Sequence, residues 1–133
     1  MSAFVDTNIL VRHLTADPPE MAQLATRFLA SERDLLLADL IVAETIYVLE
    51  SFYEAPRGQV AEAIRSLIAL DSIMCVDPAL LLRAIELYEI DRLDFAEAYL
   101  VASAESTEVY RVASFDKAID RIDTTTRVEP PRS

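Results

Sequence analysis

Ala3-Phe4-Val5-Asp6-Thr7-Asn8-Ile9-Leu10 runs from a short apolar stretch through an acid into helical spacing. Three apolar residues are enough for a brief buried strand. From Asn8 to Leu14 the pattern suits a short helix, ended near Asp17-Pro18-Pro19. The same alternation repeats along the chain. Glu20 to Ser31 has Met21, Leu24, Ala25, Phe28 and Leu29 at helical spacing, and Leu35-Leu36-Leu37 reads as a strand. Asp39 is placed to cap a helix running to about Tyr53, Pro56-Arg57-Gly58 breaks it, and Val60 to Leu70 is a further amphipathic helix.

The last third continues in kind. Ile73-Met74-Cys75-Val76 is strand-like, and Asp77-Pro78 opens a helix to about Ile90, with Pro78 suited to the first turn. Asp94 to Glu105 is an Ala-rich helix, Val109 to Ala113 a strand, Asp116 to Ile122 a short helix and Thr126 to Val128 a last strand. Short apolar strands separated by helices require parallel crossovers and a sheet covered on both faces. The expected fold is α/β, a three-layer α/β/α sandwich with a central, mostly parallel sheet. A chain of 133 residues fits one domain over 1–133, with residues 129–133 as a flexible tail.

Composition excludes several functions. One Cys (Cys75) and one His (His13) cannot build a thiolate zinc cluster or a multi-histidine site. A single Gly (Gly58) leaves no glycine-rich phosphate loop. A net charge of −11 argues against holding nucleic acid by general surface charge. The N-terminal stretch has no basic region, and Leu35 to Leu49 is too short and too charged to span a bilayer. With one unpaired Cys, the expectation is a cytoplasmic protein without membrane contact.

Most of the 23 acids suit solvated faces or turns, among them Glu62, Glu86, Glu89, Asp91, Glu105, Glu108, Asp120 and Asp123. A few do not. Asp6 follows the first strand directly, although it or Asn8 equally suits a helix cap. Glu44 has apolar Leu40, Ile41, Tyr47 and Val48 three and four positions away, so its carboxylate is expected to be desolvated, ion-paired or protonated. Asp94 and Glu97 share a helix face, at the spacing of a capping box as much as of a site. Asp116 follows a strand at its carboxyl end, where open α/β sheets place their sites, or caps the helix after it. Right-handed winding lets these acids converge at one end of the sheet. Clustered carboxylates repel unless a cation sits among them, and an all-oxygen donor set suits Mg²⁺ or Mn²⁺. Such a site, with no internal nucleophile, points to phosphodiester hydrolysis by a metal-activated water.

In this order the residues resemble the PIN-domain ribonucleases, and especially the VapC-like toxins of bacterial toxin–antitoxin systems. Phe4-Val5-Asp6-Thr7-Asn8-Ile9-Leu10 resembles the family's opening strand and D-T-N/S motif. Leu93-Asp94-Phe95-Ala96-Glu97-Ala98 resembles its L-D-F-A-D-A stretch, and Ser114-Phe115-Asp116 its T/S-x-D motif. The resemblance spans nearly the whole chain. It implies a Mg²⁺- or Mn²⁺-dependent endoribonuclease in which Asp6, Glu97 and Asp116 hold metal. Glu44 would complete the acidic set and help orient the attacking water, with Asn8 supporting Asp6 and Ser114 hydrogen-bonding within the site. Two departures stand out. Glu97 replaces the usual Asp, so Asp94 is a further candidate ligand, and Lys117-Ala118-Ile119 follows Asp116 where an extra acid and Phe are frequent.

Lys117 is the sole lysine, so arginines must position any RNA, with Arg12 and Arg92 as candidates that equally suit surface ion pairs. The resemblance further implies a cognate antitoxin covering the site and a homodimer. Tyr47, Phe52 and Tyr53 suit either such an interface or the core. Two other readings compete: a PIN fold that binds RNA or protein without cleaving, and a phosphoacceptor receiver domain. The second would want adjacent acids after the first strand, where Asp6 is followed by Thr7-Asn8.

Overall fold

The computed structural model describes residues 2–132. Met1 and the last residue of the expected tail, Ser133, lie outside the described residues. The chain divides into two compact units, one up to Pro78 and one from Ala79 onward.

The first unit holds β1 (Ala3–Phe4), α1 (Thr7–Thr15), α2 (Pro19–Ser31), β2 (Leu35–Leu36), α3 (Asp39–Ser51), α4 (Arg57–Ile68) and β3 (Ile73–Met74). Its strands form a parallel ladder in the order β1-β2-β3, with Phe4 level with Leu36 and Leu36 level with Met74. Leu10, Leu35, Leu37, Ile46, Ile64 and Leu67 are fully buried. Helix α2 buries Ala22, Ala25 and Leu29, whereas Met21 and Leu24 are exposed. The buried stripe is therefore turned from the one that the large side chains suggest, because alanines let α2 lie closely against α1. Ala38, not Asp39, is the N-cap of α3. Helix α4 begins at Arg57 directly after Pro56, so Gly58 sits in a first turn where a break was expected.

The second unit holds most of α5 (Pro78–Glu89), then α6 (Phe95–Ser106), β4 (Arg111–Ala113), a 3-10 helix (Lys117–Arg121) and β5 (Thr126–Val128). Strands β4 and β5 pair in parallel, Val112 level with Arg127. Leu81, Ile85, Leu87, Tyr88, Leu93 and Ile119 are fully buried. Residues 129–132 are exposed and carry no regular structure.

Every ladder is parallel and every strand short, as the α/β reading requires. Asp follows each of the first four strands within three residues: Asp6, Asp39, Asp77 and Asp116. With one Gly in the chain, the left-handed corners fall to other residues, among them Ala16, Asp34 and Arg92. Among the described residues no helix is long and apolar enough to cross a membrane.

Candidate functional site

In the first unit the acid that ends β1 starts a helix. Asp6 is the N-cap of α1, and its Oδ1 accepts a hydrogen bond from the Thr7 amide at 2.8 Å. The Thr7 hydroxyl is buried and donates to Glu44 Oε1 on α3. Asp6 and Glu44 are thus joined through one residue, Thr7. Neither charge is enclosed. Glu44 is exposed, and Leu40 and Tyr47 beside it are 77% and 67% exposed, so the desolvated carboxylate expected from its apolar neighbours is not found. α3 turns that face to solvent and buries Val42, Thr45, Ile46 and Leu49 instead. Asn8 is exposed on the first turn of α1.

In the second unit two segments bring acids together. Asp94 is the N-cap residue of α6, but its side chain makes no capping hydrogen bond, so the capping-box reading does not account for it. Glu97, three residues on, has its Oε2 buried with no donor among the described residues. The group beside it is another carboxyl, Asp116. Two carboxylates offer each other only lone pairs, so a proton or a cation has to lie between them. Burial, this contact with Asp116 and the charges of Asp116 and Asp94 push Glu97 up to about 7, against a smaller opposing pull from Arg121. Asp116 is held below the usual carboxylate range. The largest cause is the Ala118 amide, which donates to its Oδ1 at 2.9 Å, followed by Glu97 and the charges of Arg121 and Arg127. Ser114 Oγ accepts from the Asp116 amide at 2.9 Å and fixes the turn. Asp116 therefore caps the 3-10 helix and also meets Glu97.

Several residues with structural partners were not singled out from the sequence. Thr7 was passed over for Asn8; the available signal was a hydroxyl at the first helical position with apolar Leu10 and Val11 three and four residues on, the face that α1 buries. Asp120, read as a solvated position, binds Arg127 through two contacts at 2.9 and 3.2 Å, and Arg127 also donates to the Ser114 carbonyl at 3.0 Å. Arg121 donates to the carbonyls of Asp91 and Arg92. Glu105 is not on a solvated face: Arg83 grips it with two hydrogen bonds at 2.8 and 2.9 Å, and Thr124 donates to the same carboxylate. Arg12 is half-buried on α1 and Arg92 is exposed, and neither makes a side-chain ion pair among the described residues.

The donors are all oxygens, the set a hard divalent ion takes, and a buried Glu97 oxygen without a donor fits a site meant for a cation. Among the described residues, no three His, Cys, Asp or Glu side chains are gathered closely enough to form a ready-made metal cluster. Cys75 is not a ligand candidate, since burial and the charge of Asp39 push its thiol up, away from the thiolate.

Parallel strands, each of the first four followed within three residues by an Asp, make this an α/β domain with acids at the ends of its strands. The PIN domain family matches residues 3–124, and the chain belongs to that family. PIN domains are generally nucleases, so the fold is a nuclease fold. No curated protein matches the chain. Membership in the PIN family sets the receiver-domain reading aside.

Proposed function

We propose that the protein is a divalent-metal-dependent endoribonuclease acting as the toxin of a toxin–antitoxin pair. The observation that carries the metal half of this reading is the Glu97–Asp116 pair, in which one carboxyl lies beside another while Glu97 Oε2 is buried with no donor among the described residues. Asp94, Glu97 and Asp116 are the proposed metal ligands of the second unit, and Asp6 is that of the first. Glu44, held by Thr7, completes the acidic set and orients the attacking water. Asn8 supports Asp6, and Ser114 supports Asp116 by fixing its amide. That Asp6 and Glu44 serve the same reaction as the other three rests on the order of motifs shared with PIN-domain ribonucleases. Mg²⁺ or Mn²⁺ would neutralise the phosphodiester and acidify water at these oxygens.

Arg12 and Arg92, which make no ion pair among the described residues, are the proposed contacts to RNA phosphates. The toxin role, the antitoxin partner and a homodimer come from the VapC resemblance. They are supported by apolar side chains left in water on and just after α3: Leu40, Tyr47 and Phe52. In this reading residues 1–133 work as one PIN domain in the cytoplasm.

The test is cleavage of a panel of structured and single-stranded RNAs in Mg²⁺, Mn²⁺ and EDTA, beside Asp6→Asn prepared identically. Metal-dependent cleavage that the variant lacks upholds the reading. Cleavage by both proteins removes Asp6 from the site. RNA binding without cleavage by either would make this a binding-only PIN fold.

A further inference from the structure

The second unit's candidate ligands arrive on two separate segments. Asp94 comes at the end of the loop that leaves α5, with Glu97 just inside α6, while Asp116 caps the 3-10 helix. For these carboxylates to act together, the loop and the 3-10 helix must keep a fixed relation. One side chain ties them. Arg121, the last residue of the 3-10 helix, reaches back to the loop and donates through Nη1 to the carbonyl oxygens of Asp91 (3.3 Å) and Arg92 (3.4 Å).

The loop needs such a tie. Arg92 takes a left-handed conformation, φ 59°, two residues before Asp94. A glycine would adopt it freely; a residue with a Cβ is strained there and stays only if its surroundings hold it. The carbonyls just past the end of α5 have no partner further along that helix, and a guanidinium is a favoured donor to them. Leu93, fully buried, holds the corner from the other side, with its amide donating to the Leu87 carbonyl. Arg121 also lies close enough for its charge to act on both Glu97 and Asp116.

We infer that Arg121 is a positioning residue of the candidate metal site, clamping the Asp91–Arg92 corner to the 3-10 helix so that Asp94 and Glu97 are presented with Asp116. The inference deepens the metal-dependent reading above and rests on it. A positioning role and a merely electrostatic one predict opposite signs. A guanidinium beside carboxylates repels an incoming cation, so if charge were its only effect, Arg121→Ala would tighten metal binding. If Arg121 sets geometry, the same change weakens it.

The experiment measures the affinity of Mn²⁺ alone for the wild type, R121A and R121K, followed by the paramagnetic resonance of free Mn²⁺. Amide hydrogen exchange is followed on the same three proteins without metal. Loss of a residue that orients ligands costs about tenfold or more in affinity, and R121A is expected to show that loss. R121K keeps the charge but not the guanidinium fork, and should fall between the other two. Exchange at the Leu93 and Ala98 amides, which donate to Leu87 and Asp94, should rise in R121A, while Ser114 and Thr126 in the β4–β5 ladder hold. R121A that binds Mn²⁺ as tightly as the wild type, or more tightly, overturns the positioning role. A wild type that binds no Mn²⁺ overturns the metal reading instead. The clamp then stands or falls on exchange: faster at Leu93 and Ala98 upholds it, unchanged refutes it.

Discussion

Glu97 and Asp116 meet as a carboxyl and a carboxylate, one pushed up to about 7 and the other held low. The asymmetry has a local cause. Asp116 caps the 3-10 helix and takes the Ala118 amide and two nearby guanidinium charges. Glu97 is more enclosed, and its Oε2 has no donor among the described residues. A proton shared by this pair is therefore favoured on Glu97 rather than on Asp116. In the proposed metal-dependent reading a divalent ion would take the place of that proton, so metal binding should release one.

Glu97 should therefore give the metal-free protein a recognisable pH dependence. Its carboxyl is raised from 4.5 to about 7 on folding. Below pH 4.5 both folded and unfolded states hold the proton, and there is no penalty. Between 4.5 and 7 the unfolded chain releases it while the folded one keeps it, so stability falls as pH rises and levels off above 7. Urea unfolding in EDTA at pH 5 and pH 8 should show the wild type losing stability relative to Glu97→Gln. Parallel curves for the two proteins would mean that Glu97 ionises normally.

Mg²⁺ should stabilise the folded chain by mass action. At ten times its dissociation constant an ion contributes about 1.4 kcal/mol, a rise in melting midpoint of about 4 °C for a domain of this size. Thermal melts with and without Mg²⁺ should show this shift in the wild type and none in D116N.

Thr7 links Asp6 to Glu44 and should matter through its hydroxyl alone. Thr7→Val keeps the shape and removes the donor. Chemical denaturation should register a loss of about 1 kcal/mol, while RNA cleavage falls about tenfold through the misplaced acids. Thr7→Ser should retain both. Equal activity in all three would remove Thr7 from the site.

Arg83, Glu105 and Thr124 form a structural tie away from the candidate ligands. Arg83→Ala should cost about 1 kcal/mol, a discounted figure because Arg83 is partly exposed. Glu105 is held below its usual 4.5, chiefly by the hydrogen bonds of Arg83. Its contribution is thus present above pH 4.5 and lost as pH falls, and R83A should flatten that acid limb. Mn²⁺ affinity should not change; if it does, the tie reaches the site.

Much of this molecule was readable from short-range pattern. Apolar runs of three or four residues, separated by helical spacing, identify a parallel α/β chain, because strand and helix periods are local properties. Asp6, Asp94 and Asp116 could be picked out where they end a strand or open a helix, and the motif order pointed to the PIN family that the chain joins. The lone Gly, Cys and His closed off other chemistries before any contact was known.

Tertiary structure decided what spacing leaves open. Periodicity shows that a helix has an apolar face but not which face is covered, so Glu44 is in water with Leu40 and Tyr47, and α2 buries alanines rather than Met21 and Leu24. Charge partners are likewise chosen by packing across elements. Nothing local to Glu97 names Asp116 as its neighbour, or Arg83 as the partner of Glu105, or the Arg92 corner as the place that Arg121 holds. Whether a carboxylate caps a helix, pairs with an arginine or waits for a cation depends on which donor stands within about 3 Å of it, and only the folded chain sets that distance.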